Sequence, residues 1–372
     1  MRLLVATVDA GGNTQPTVGV VRELIRRGHE VQVLGHPSQR DRYGAMTDFE
    51  PWRSARAWDP RPPQPGLRSM LGWLALASDP GFGKDVVTRA RSRPPDVVLV
   101  DCMIPATLRP ARQLGRPVVM LAHAFSGYWH RQWTGVRPMN VWLHAAGAHP
   151  ADARATPDLV VLTTQPTFDQ PERLRVQLNS RLSQTGPILP EVTVAAAAPN
   201  GNAPVLVSLS TLAYPGQRQC LQRIFDALGE LGVPAIATLG PAVSRSGLRV
   251  PANVTTLDYA EHRDVMPGCA AVISHGGHGT TMTALAHGLP VMVVPMSPHA
   301  DQPLVARAVN AAGAGMWSSR ESGVPQLRVA IDRLVGDHGL RRAAQAIGAQ
   351  LRACPGAGGA ATAIERAGDP PA

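Results

Sequence analysis

The chain predicts an α/β protein made of two parallel-sheet, Rossmann-like halves. Three observations carry this. Near the start, an apolar run, a glycine-bearing turn, an amphipathic helix and a second apolar run follow one another (Arg2–Val8, Gly11-Gly12, Thr17–Arg27, Glu30–Leu34). The same succession returns between Ala270 and Val294. Between them, Val194–Asn202 (VAAAAPNGN) is small and turn-rich and reads as an interdomain linker. Continuous apolar runs separated by helical patterns are the mark of strands buried on both faces of a parallel sheet. The expected boundaries are residues 1–193 for the first domain, 194–203 for the linker, 204–352 for the second domain and 353–372 for a frayed tail rich in Gly, Ala and Pro.

Composition narrows the class. With 372 residues the chain can bury two cores, and no run approaches the ~20 apolar residues of a membrane span. The start, MRLLVATVDAGG, turns polar too soon for a signal peptide, so a cytoplasmic location is expected. Cys102, Cys220, Cys269 and Cys354 form no C-x-x-C pair, which argues against a zinc site or a disulfide framework. The net charge of +9 points towards polyanions, but Lys84 is the only lysine and the arginines are dispersed, as in Arg40-Asp41-Arg42. We expect neither a nucleic-acid partner nor stable membrane insertion. Arginine in place of lysine, with abundant Ala, Gly and Pro, fits a GC-rich genome of actinobacterial type.

In order along the chain, Arg2–Val8 is a buried strand entering the turn Asp9–Pro16, and Val18, Val21, Leu24 and Ile25 recur at helical spacing until Gly28. The dinucleotide fingerprint G-x-G-x-x-G is absent there. Residues 35–84 lack a clean period, and Pro60–Gly66 (PRPPQPG) reads as a rigid loop. Trp52, Trp58, Met70, Leu71, Trp73 and Leu74 supply apolar surface that serves either a pocket wall or a core. Pro95–Asp101 is a strand with Asp101 at its carboxyl end, where α/β sites collect. Pro117–Ala122 is another, ending at His123, a side-chain type suited to proton transfer. Tyr128, Trp129, His130, Trp133 and Trp142 follow with little periodicity and leave the same choice between wall and core.

Asp158–Thr163 closes the first half. The second opens with the strand Pro204–Thr211, the helix Gln217–Leu231 and the strand Pro234–Leu239. In Ser274–Pro303, glycines 276, 277 and 279 follow a buried strand, and Thr280, Thr281 and Thr283 open a helix with Met282, Leu285 and Ala286 inward. Such a helix start presents unpaired N–H groups and a positive dipole end, which suits a phosphate or diphosphate. Gly288-Leu289-Pro290 stops the helix, Val291–Val294 is the next strand, and helices are expected over Pro303–Ala312, Pro325–Leu334 and Leu340–Leu351.

A glycine-rich turn alone says little. Here His275, Gly277, Gly279, Thr280, Gly288, Pro290, Pro295, Asp301 and Gln302 stand in fixed order. That order resembles the donor-site signature of the nucleotide-sugar glycosyltransferases of the GT-B fold, the GT1-like family of macrolide, glycopeptide and plant natural-product transferases. Gly12, Pro16, Arg27, Gly28, His29 and Val31 are similar to the family's amino-terminal pattern. One departure matters: Asn13 stands where most members carry the catalytic histidine, and an amide cannot accept a proton at neutral pH.

The resemblance implies a GT-B architecture, two Rossmann-like domains facing each other across a cleft. It implies an inverting, metal-independent enzyme needing no cofactor, with a nucleotide-diphosphate sugar as co-substrate and a small-molecule aglycone as acceptor. A homodimer stays open. The implied donor contacts are Ser210 and Thr211, Tyr259 in the segment Asn253–His262, His275, Gly277, Gly279, Thr280 and Thr283, with Asp301 and Gln302 reading the sugar. Relatives that use uridine donors commonly place a glutamate on the ribose where Thr283 stands. Threonine suits deoxyribose better, so a thymidine diphosphate (TDP) sugar is expected. The base is open among Asp101, His123 and an unusual role for Asn13, whose plain alternative is a turn and N-cap residue. Trp73, Trp129 and Trp133 are the candidate acceptor walls for an apolar aglycone. The rivals are a non-catalytic auxiliary protein that kept the fold, and a cell-wall N-acetylglucosaminyltransferase or epimerase.

Overall fold

A computed structural model describes residues 1–56, 66–192 and 202–369. Among them, one compact unit takes residues 1–56, 66–188 and 355–369, and the other takes 189–192 and 202–354.

The first unit holds seven strands: β1 (Arg2–Ala6), β2 (Glu30–Gly35), β3 (Asp48–Pro51), β4 (Val97–Asp101), β5 (Val118–Ala122), β6 (Leu159–Leu162) and β7 (Arg181–Gln184). They pair in parallel in the order β3-β2-β1-β4-β5-β6-β7. Leu3 faces Val31 on one side and Val97 on the other, so the central strands are apolar on both faces and buried throughout. The second unit holds β8 (Val205–Ser208), β9 (Ala235–Thr238), β10 (Val254–Leu257), β11 (Ala271–Ser274), β12 (Val291–Val293) and β13 (Gly315–Trp317). These are also parallel, in the order β10-β9-β8-β11-β12-β13. In each sheet the strand order reverses beside the first strand, at β1/β4 and at β8/β11. Crevices form outside the carboxyl ends of strands at such a point, because the crossovers leave in opposite directions.

One expectation needs correction. The tail is not frayed over its length: Gly356–Gly368 is a helix whose Ala360, Ala361, Ile364 and Ala367 are buried in the first unit's core with Val18, Val21 and Leu24. Its small residues let it lie close on the helix Thr14–Arg26, and an apolar stripe at helical spacing outweighs the glycines. Arg27 and His29 lie beneath this helix. Arg27 Nη1 donates to Glu365 Oε2 at 2.7 Å, and His29 Nε2 lies 2.8 Å from Glu365 Oε1. The Arg-Gly-His pattern thus docks the last helix. The linker expected at 194–203 and the loop Pro60–Gly66 fall almost wholly outside the described residues. No helix among the described residues is long and apolar enough to cross a membrane.

Candidate active site

At the β1/β4 switch of the first unit, five side chains converge. Asp101 ends β4 and is 2% exposed. Its Oδ2 accepts from Asn13 Nδ2 at 2.6 Å and from Thr7 Oγ1 at 3.0 Å, while Oδ1 accepts from Met103 N at 2.9 Å. Asn13 spends the rest of its amide as fully: Nδ2 also donates to Val8 O at 2.7 Å, and Oδ1 accepts from Ala10 N at 2.9 Å. It therefore stands at the N-cap position of the helix Thr14–Arg26 without capping it, and pins the β1 loop to the carboxylate instead. His123, just past β5, puts Nε2 3.7 Å from Asp101 Oδ2 and 3.3 Å from Thr17 Oγ1. Its Nδ1 is enclosed and has no partner among the described residues.

The three residues the sequence left open for proton transfer thus lie together. Thr7 and Thr17 belong with them and were missed. No motif marks them, since a threonine beside a β-strand end or in a first helical turn is ordinary.

Two of the three tryptophans named as acceptor walls are deeply buried. Trp129 and Trp133 are 6% and 2% exposed, lie in the first unit's core and stack on one another with ring centroids 4.9 Å apart. A long apolar ring placed on an inward helix face is worth more as core than as wall. Trp73 is half-buried against the same core.

In the second unit, β11 leads into the helix His278–Ala286. Gly276 turns the chain with φ +85°, and a Cβ there would meet Val293 Cγ1 at 2.7 Å. At Gly277 a Cβ would strike the His275 ring at 2.6 Å, so that glycine seats the imidazole over the turn. Gly279 is different: a Cβ there would have nothing within 4 Å, and the first helical turn is left open. Burial holds the His275 imidazole down to about 4, with the ring bonded to the Ser208 backbone, and its Nδ1 is enclosed without a partner. At neutral pH it is therefore uncharged. Thr280 Oγ1 lies 3.4 Å from His262 Nδ1, and Thr283 is buried at 7% exposure on the same helix.

Across the switch, β8 ends in a loop where Ser210 takes φ +115°, unusual for any residue but glycine. Its Oγ accepts from Leu212 N at 2.9 Å, and Gln217 Nε2 holds the carbonyls of Leu209 and Ser210, each at 3.3 Å. Thr211 is exposed beside it. Tyr214, which the sequence did not single out, faces His275 with ring centroids 6.4 Å apart and bonds the Gln302 side chain. Burial and the Asp301 carboxylate push its phenol up to about 12. Gln302 is 2% exposed, and its Oε1 accepts from Met296 N at 2.7 Å and Ser297 N at 3.0 Å. Its carbonyl thus pins the loop ahead of the helix Gln302–Ala311. Tyr259 is 56% exposed, its hydroxyl donating to Glu261 Oε1 at 2.5 Å.

Two parallel sheets, each with polar groups gathered at its switch point and the second with an open glycine-bearing turn at a helix start, are the arrangement of the GT-B glycosyltransferases. Known proteins agree with it. Residues 222–365 match the family described as erythromycin biosynthesis protein CIII-like, C-terminal domain. The 4'-demethylrebeccamycin synthase of Lentzea aerocolonigenes is 26% identical, covering 93% of this chain and 91% of its own. The glycotransferase of kitacinnamycin superposes with a TM-score of 0.80 at 21% identity, over 99% of both chains. The glycosyltransferase VinC, solved in complex with DTDP, does so with 0.72 at 20% identity, over 99% of both. The chain has the GT-B fold and is a glycosyltransferase of the natural-product type, and its residues 222–365 match the erythromycin CIII-like C-terminal domain.

Proposed function

We propose that this enzyme moves a sugar from a TDP donor onto an apolar, aromatic secondary-metabolite acceptor with inversion at the anomeric carbon. The observation that carries the donor half is the open turn at Gly279, where a Cβ would meet nothing within 4 Å and the helix begins with its N–H groups and positive dipole end. A departing nucleoside diphosphate gains negative charge as its bond to the sugar breaks, and fixed donors at this turn are placed to hold it. Thr283 favours the deoxyribose nucleotide by the resemblance argued above, and the DTDP bound to VinC supports that choice.

Apolar side chains support the acceptor class. Leu67, Met70 and Leu71 on the helix Gly66–Ser78, and Val141 and Trp142 on the helix Pro138–Ala145, are exposed on two helices that pack together. Of the three candidate bases, Asp101 and Asn13 have their polar atoms taken up by fixed partners. His123 keeps an unengaged ring nitrogen and takes the acceptor's proton, with Asp101 behind it.

Calorimetric titration with TDP and with uridine diphosphate tests the donor reading. TDP should bind more tightly, and Thr283→Glu should move the preference towards uridine diphosphate, by about tenfold if one bidentate ribose contact is gained. Absence of binding by either nucleotide would remove the transferase reading, and an unmoved preference in Thr283→Glu would remove the TDP assignment.

A further inference from the structure

We infer that Thr17 sets the tautomer of His123, so that Nδ1 is the atom that receives the acceptor's proton. The inference rests on the transferase reading above and concerns which atom acts.

A threonine hydroxyl has one proton to give. That of Thr17 goes to Asn13 O, four residues back in the helix, at 2.9 Å. Towards His123 Nε2, at 3.3 Å, Thr17 Oγ1 can then only accept, so Nε2 carries the hydrogen. Asp101 points the same way. Its Oδ2, 3.7 Å from Nε2, already accepts from Asn13 and Thr7, and an accepting oxygen faces an N–H rather than a lone pair. In a neutral imidazole the other nitrogen is then a bare acceptor. That nitrogen is Nδ1, enclosed and without a partner, on a ring that is 7% exposed. A buried acceptor without a donor is unfavourable, and an incoming hydroxyl relieves it.

The chemistry balances. The acceptor oxygen forms its bond to the anomeric carbon and passes its proton to Nδ1. The bond from that carbon to the diphosphate oxygen breaks, its electron pair leaving with the nucleotide. The resulting imidazolium carries both N–H groups, and Nε2–H faces the Asp101 carboxylate. Asn13 thereby has a place in the scheme without touching a proton in flight: its amide donates to Asp101 and its carbonyl commits Thr17. Thr17 is a positioning residue.

The test is ring-nitrogen NMR on the full chain labelled with ¹⁵N-histidine, at a pH where the ring is neutral. The His123 signals are assigned by their loss in His123→Gln. Wild type should show Nε2 protonated and Nδ1 bare. Thr17→Val should mix the tautomers and lower kcat by about 10²-fold while TDP binding is unchanged, and Thr17→Ser should restore both. An Nδ1–H tautomer in wild type, or a Thr17→Val ring identical to wild type, overturns the inference. If Thr17→Val does not fold, the wild-type tautomer alone decides. Loss of nucleotide binding in the unmodified protein would instead strike at the transferase reading.

Discussion

At the residue scale, the notable trade is an amide for an imidazole at position 13. The amide is a better fit for the local bonding. Asn13 meets two acceptors and one donor at once, which a single-nitrogen contact could not do. In the scheme proposed above, the proton-accepting role falls to the ring of His123, just past β5. His275 is a second residue whose environment decides its chemistry. Its folded value of about 4 lies below the ordinary 6.5, so the unfolded chain binds a proton that the folded chain refuses. Stability of the unit that holds it should therefore fall as pH drops from about 6.5 to about 4, by up to about 3 kcal/mol, and level off below. Denaturant unfolding of wild type and His275→Gln across that window checks this. The variant should give the flatter profile, and parallel profiles would refute the assignment.

At the scale of elements, the last helix offers the sharpest test. Ile364 is fully buried, so Ile364→Ala should cost about 2–4 kcal/mol, and Glu365→Ala, partly exposed, only about 1 kcal/mol. Equal losses measured by denaturant unfolding would mean that the ion pairs, not the apolar stripe, hold the helix. The same contrast explains what could be read from the sequence. Central strands such as Val97–Asp101 and Val118–Ala122 announce themselves because both faces are buried and the run is unbroken. The edge strands Asp48–Pro51 (DFEP) and Arg181–Gln184 (RLSQ) carry no such run, because an edge faces water and has no apolar pattern to keep. The glycines of 356–368 hid a helix for a related reason: close packing wants small residues, and composition alone cannot separate that from a loose tail. The donor turn was legible because its residues are contiguous. The Thr7, Thr17, Asp101 and His123 cluster was only half legible, because it draws on three strand ends and a helix far apart in sequence.

At the scale of the molecule, each unit has its own core, but the chain does not divide into two with one cut. A fragment ending at Ile188 lacks the helix that covers Val18, Val21 and Leu24. Residues 1–188 alone should therefore be much less stable than the same fragment with 355–372 joined to it through a short linker, a difference of several kcal/mol by the burial involved. Equal melting temperatures for the two fragments would contradict the placement of that helix.

The closing helix also imposes an order in time. Residues 1–188 leave the ribosome before the piece that seals them, which is made only after the whole intervening unit. At ordinary translation rates the intervening unit takes on the order of 10 s to appear. Throughout that interval the nascent amino-terminal unit shows a greasy strip to its surroundings, which makes it a client for whatever chaperone waits at the exit tunnel. The second unit, with a core of its own, can settle before its elder neighbour does.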